Sequence, residues 1–138
     1  MIKTLADALA KQGYDKLTPV QSEVSKEEFE ISDLLVSAQT GSGKTVGFGI
    51  AIAPTILKGK DNFERASTPL ALIIAPTREL AMQVKRELTW LYSMAGATIA
   101  SCVGGMDMRD ERRSLERGSH IVVATPGRLR DHIRRGSI

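Results

Sequence analysis

Residues 38–45 read AQTGSGKT and come just after the apolar run Leu34-Leu35-Val36. In such a string Gly41 and Gly43 let successive backbone N–H groups turn inward on an anion. Where the loop opens a helix, the unpaired amides and the helix dipole both favour negative charge. Lys44 is then a cation able to reach the β- and γ-phosphates of a nucleotide, and the Thr45 hydroxyl can hold Mg2+. Ala38 stands where the usual G-x-x-x-x-G-K-[ST] pattern has its first glycine. The chemistry predicted is nucleoside triphosphate binding, ATP or GTP with Mg2+.

Three other strings carry phosphate-binding residue types: Pro76-Thr77-Arg78-Glu79-Leu80, Gly104-Gly105 and Thr125-Pro126-Gly127-Arg128. Thr77 and Thr125 are placed as N-caps, Pro126 suits a first helical turn, and an arginine follows each threonine. A phosphate at either helix start would meet free amides and a guanidinium. The glycine pair would let a nucleic-acid strand come close to the backbone. Taken one at a time, Thr-Pro-Gly is equally a capped turn and Gly-Gly equally a loop. Gln21 has a carboxamide that can pair with the donor and acceptor edge of adenine, whereas guanine presents the opposite pattern. Alone, it reads as a surface glutamine.

These strings need a frame to hold them. Apolar, β-branched runs at 34–37, 70–75, 98–103 and 121–124 are separated by helical patterns too long for hairpins. That alternation predicts an α/β domain with a mostly parallel sheet. One helix is expected from Lys44 to about Lys58. Another follows Thr77, with Leu80, Val84, Leu88 and Leu91 forming its apolar stripe. In open parallel sheets ligands gather beyond the carboxyl ends of the strands, and each of the strings lies at such an end.

Composition fits this reading. The 138 residues suffice for one domain or part of one, and 42% hydrophobic with 25% charged residues is ordinary for a soluble globular chain. No apolar run has the length of a membrane span. The start, MIKTLADALAKQG, reads as an amphipathic helix with Leu5 and Leu9 on one face rather than as a signal peptide, which predicts a cytoplasmic protein with no membrane partner. Cys102 is alone, so no disulfide or zinc site is readable, and it is expected as a small buried hydrophobe. His120 and His132 have no acid or nucleophile at readable spacing. The net charge is +3, and all of the excess falls in residues 104–138, as arginine. Arginine suits phosphate, but Arg109, Arg112, Arg113 and Arg117 are mixed with Asp110, Glu111 and Glu116 and read better as a solvated helix face.

In order and nearly end to end, the strings resemble the DEAD-box RNA helicases. Residues 13–21 are similar to the Q motif, AQTGSGKT to motif I, PTREL to motif Ia, Gly104-Gly105 to the GG element and TPGR to motif Ib. The resemblance implies a P-loop NTPase, RecA-like parallel sheet flanked by helices, with residues 1–138 forming part of an N-terminal helicase ATP-binding domain. It implies ATP and Mg2+ as cofactors. Tyr14, Gln21, Gln39, Thr40, Gly41, Ser42, Gly43, Lys44 and Thr45 would contact nucleotide, Thr45 through the metal. Pro76, Thr77, Arg78, Gly105, Thr125 and Arg128 would line the backbone of RNA, single-stranded or locally melted, largely without sequence preference. A DNA-directed P-loop helicase fits less well, because PTREL, TPGR and the Q motif occur together.

The sequence also departs from the family. It reaches Ile138 without an Asp-Glu-Ala-Asp string, a Ser-Ala-Thr element or a second lobe. The parent is therefore expected to be an ATP-dependent RNA helicase that unwinds or remodels duplexes. The 138 residues alone are expected to hold no complete catalytic set. The alternative for them is a catalytically silent nucleotide- and RNA-binding module. Thr4 stands where the family usually carries a phenylalanine to stack on adenine. By resemblance the absent strands would lie inside the sheet, between the P-loop strand and the others. The chain is then expected either to close that gap or to self-associate by exchanging strands.

Overall fold

The computed structural model describes residues 2–13, 21, 44–58, 60–105 and 107–138. In chain order these form helices α1 (Lys3–Lys11) and α2 (Lys44–Leu57), strand β1 (Ala71–Ile74), helix α3 (Arg78–Leu91) and a 3₁₀ turn (Ser93–Ala95). Strand β2 (Ile99–Cys102), helix α4 (Met108–Glu116), strand β3 (Ile121–Ala124) and helix α5 (Pro126–Arg134) follow. The expected strand at 34–37 lies outside the described residues, as do Tyr14, Gln39, Thr40, Gly41, Ser42 and Gly43. Two compact units emerge: Met1–Asn62 with Trp90–Gly96, and Phe63–Thr89 with Ala97–Ile138.

In the first, helical unit, apolar residues four apart on α1 put Leu5 and Leu9 on one buried face, with Ala8 beside them. Helix α2 buries Val46, Ile50, Ala53, Ile56 and Leu57. Pro54 lies within α2 and cannot donate to the carbonyl one turn before it. Tyr92 is fully buried and its hydroxyl donates to the Gly49 carbonyl at 2.5 Å. Burial holds its phenol well above the usual tyrosine range. The Thr4 hydroxyl donates to the Asp61 carbonyl at 2.7 Å.

The second unit is built on a parallel sheet in the order β1-β3-β2. β3 reads Ile-Val-Val-Ala, has no polar side chain to turn outward, and is buried along its whole length in the middle position. Ala100, Cys102, Leu115, Val122, Ala124 and Leu129 form one core cluster from β2, β3, α4 and α5. Cys102 is buried there as expected. Burial pushes its thiol up to about 11, the Glu111 charge adding to the rise and Arg128 offsetting it. The turn into β3 depends on Gly118, at φ 92°, because a Cβ there would meet the Ala66 carbonyl oxygen at 2.6 Å.

The architecture is the α/β parallel sheet with flanking helices that the sequence predicts. Two details differ. The stripe expected on α3 includes Leu80, which is exposed, while Ala81 at its side is fully buried with Leu88 and Leu91. The face a helix buries is set by the surface it lies on, and a small residue takes the closest approach. On β1, Leu72 and Ile74 are 49% and 57% exposed, so among the described residues one apolar face of the strand is open.

Candidate nucleic-acid interface and nucleotide site

Parallel strands in register deliver their succeeding loops to one edge of the sheet. Ile74 of β1 and Cys102 of β2 both pair with Ala124 of β3, so the three strands end at the same level. Ala75 N–H donates to the Ala124 carbonyl at 2.9 Å and Thr125 N–H to the Cys102 carbonyl at 3.0 Å, carrying the ladder one residue further. Pro76-Thr77-Arg78, Gly104-Gly105 and Thr125-Pro126-Gly127-Arg128 all begin within two residues of that level.

Thr77 caps α3, its Oγ1 accepting from Leu80 N–H at 3.2 Å as the sequence predicts. Pro76, Thr77 and Arg78 are exposed. Gly104 and Gly105 have φ of 76° and 69°, the left-handed region where glycine is favoured. A side chain at Gly105 would run into the Arg78 guanidinium. That contact brings two of the sequence strings together, and the glycine leaves the arginine its place. Thr125 has the extended backbone of an N-cap and Pro126 occupies the first turn of α5, but the Thr125 hydroxyl makes no capping bond.

Arg128 is anchored from below. Its Nε–H donates to Glu111 Oε1 at 2.6 Å. Glu111 is only 4% exposed, so it does not belong to the solvated helix face on which the sequence places it. The same Oε1 accepts from His132 Nε2–H at 2.9 Å, and Oε2 accepts from Val103 N–H at 3.1 Å. Burial pushes the carboxyl upward, but the hydrogen bonds from His132, Arg128 and Val103, with the arginine charge, bring it below the usual glutamate value. Glu111 and His132 are missed in the sequence because their partners are far off in the chain. The available signal is spacing: His132 lies one helical turn after Arg128, and Glu111 one turn before the buried Leu115. His120 is also structural. Its Nδ1 accepts from Thr98 N–H at 2.8 Å, Nε2–H donates to the Glu64 carbonyl at 2.8 Å, and the ring stacks on Phe63. By contrast Arg112 and Glu116 pair at 3.1 Å on the exposed face of α4, as the mixed charge pattern predicts.

The nucleotide-side residues within the described set belong to the helical unit. Lys44 is the first residue of α2 and Thr45 the second, half-buried. The Thr45 hydroxyl oxygen is a ligand type suited to Mg2+. Gln21 is helical and 1% exposed, so it is a buried residue rather than the surface glutamine it resembles when read alone. Among the described residues no helix is long and apolar enough to cross a membrane.

Comparison with known proteins shows the family and the fold. The family model for the DEAD/DEAH box helicase matches residues 18–138. The ATP-dependent rRNA helicase RRP3 of Debaryomyces hansenii is 42% identical over 133 residues, covering 96% of this chain and 27% of that protein. A hypothetical ATP-dependent RNA helicase of Sulfolobus tokodaii superposes with a TM-score of 0.84 at 30% identity, over all of this chain and 38% of that one. The RNA helicase Prp28 of Chaetomium thermophilum, bound to ADP, gives 0.81 at 38% identity, over 96% of this chain and 32% of that one. The chain thus spans between about a quarter and two-fifths of the proteins it matches, and it belongs to the DEAD/DEAH box helicase family.

Proposed function

We propose that residues 1–138 supply the ATP- and RNA-binding part of the N-terminal RecA-like domain of an ATP-dependent RNA helicase that unwinds or remodels RNA duplexes. The observation that carries this reading is the common level of the three strand ends, which sets Thr77, Arg78, Gly105, Thr125 and Arg128 along one edge. An edge with exposed arginine, a capped helix start and an open glycine turn suits a sugar-phosphate chain rather than base edges. Lys44 and Thr45 at the start of α2, with Gln21, Tyr14 and the 39–43 loop, form the nucleotide side of the proposal. The ADP held by the related Prp28 structure supports it. Mg2+ would neutralise phosphate charge, with the Thr45 hydroxyl as its protein ligand. By themselves the 138 residues, which contain no Asp-Glu-Ala-Asp string, bind without turnover. The apolar face of β1 that is open among the described residues suits self-association of this chain, read by light scattering as a concentration-dependent mass.

The test separates the two ligands. Mg-ADP and Mg-GDP are titrated calorimetrically into the chain and into Lys44→Ala. A labelled oligouridylate is titrated by anisotropy into the chain and into Arg78→Ala. ADP is expected to bind in preference to GDP and to lose that binding in Lys44→Ala, with RNA affinity unchanged. Arg78→Ala is expected to weaken RNA about fivefold and lower the salt slope by about one, leaving ADP alone. No selective ADP binding and no saturable RNA binding by the unmodified chain would overturn the proposal.

A further inference from the structure

We infer that Glu111 is a positioning residue of the RNA edge, its buried carboxylate fixing Arg128 and the Gly104-Gly105 turn in one relation to each other. This rests on the proposed RNA reading of that edge. Oε1 takes Arg128 Nε–H at 2.6 Å and His132 Nε2–H at 2.9 Å, which ties the carboxylate to two successive turns of α5. Oε2 takes Val103 N–H at 3.1 Å, and Val103 is the residue before the glycine pair. Gly105 in turn underlies the Arg78 guanidinium. Both arginines of the edge are thereby referred to a single carboxylate, one directly and one through the glycine turn.

Stability alone gives no reason for this choice. Burying a carboxylate is costly, and an apolar residue of similar volume can often fill such a site equally well. A carboxylate adds direction: three donors, two on α5 and one from the chain after β2, must meet its two oxygens. Among the described residues, the buried His132 Nδ1 meets no hydrogen-bond partner, and the ring bonds Glu111 through Nε2. The exposed Arg112–Glu116 pair on the same helix has no such constraint and serves as a comparison.

Charge and position predict opposite signs, which makes the inference testable. If Glu111 acted on RNA only through its negative charge, removing it would tighten binding. If it positions the edge, removal weakens binding. The chain, Glu111→Gln, Glu111→Ala and Arg112→Ala are titrated with a labelled oligouridylate at several salt concentrations. Nitrogen-15 correlation spectra are recorded for the Gly104 and Gly105 amides and for Arg128 Nε–H. Glu111→Ala is expected to weaken binding about tenfold and to shift all three signals. Glu111→Gln, which keeps an acceptor oxygen, is expected to recover part of both effects. Should Glu111→Ala fail to fold, Glu111→Gln is expected to lie between the parent chain and Arg78→Ala in affinity. Tighter or unchanged binding by folded Glu111 variants overturns the inference, even where their melting temperatures fall. If the unmodified chain does not bind the probe, the RNA reading fails by itself. The spectra then decide for Glu111: unmoved glycine amides in Glu111→Gln overturn its role, and shifted ones sustain it.

Discussion

Among the described residues, buried polar groups are divided unevenly between the helical unit and the sheet unit. Of these residues the helical unit buries Gln21 and Tyr92 together with the apolar Leu5, Leu9, Val46, Ile50 and Leu57. The sheet unit buries Glu111, Ser119, His120 and His132, and most of these hold backbone or side-chain groups from other elements. Apolar packing is tolerant of small slides, because its energy depends on area and volume more than on angle. Hydrogen bonds to a buried carboxylate are not. Among the described residues the sheet unit therefore fixes the mutual geometry of three chain segments by direction through Glu111, whereas in the helical unit apolar packing accompanies the Tyr92 bond to Gly49.

That contrast can be broken by substitution. Glu111→Ala should cost the largest amount, about 3 kcal/mol in urea denaturation, because it leaves Arg128, His132 and Val103 N–H without their acceptor. Acid should reach the same interaction. The carboxyl lies below its ordinary value in the folded chain, so its contribution is complete above about 4.5 and is lost as the pH falls through the folded value. Denaturation followed from neutral pH downward should show that loss, and Glu111→Gln should remove it; an identical acid limb in the variant would contradict the assignment. Tyr92→Phe in the helical unit should cost about 1 kcal/mol, since a phenyl ring fills the same space and the bond to the Gly49 carbonyl is lost. A larger loss there than for Glu111→Ala would erase the contrast. Arg112→Ala should change stability by less than about 0.5 kcal/mol, its pair with Glu116 being exposed and one helical turn long.

Much of the frame is legible in the residues because it is local. β3 announces itself as an unbroken β-branched run, Thr77 as the cap of α3, Pro126 as the first turn of α5, and Leu5 with Leu9 as a buried stripe. Leu80 shows where locality fails: the helical period includes it, but the surface beneath α3 takes Ala81 instead. Gln21 and Glu111 fail in the same way, since a polar residue read alone defaults to solvent and only a partner brought from elsewhere makes burial tolerable.

By itself the sequence determined which residue types follow the described strands and the parallel sheet that would gather those ends, because spacing and periodicity act within one element and its neighbours. The register that levels Ile74, Ala124 and Cys102 was settled only in three dimensions. So was the meeting of Arg78 with Gly105 and of Arg128 and His132 with Glu111, residues 17 and 21 positions from it in the chain. Such pairings depend on how strands and helices pack against each other, and no local propensity encodes that distance or direction.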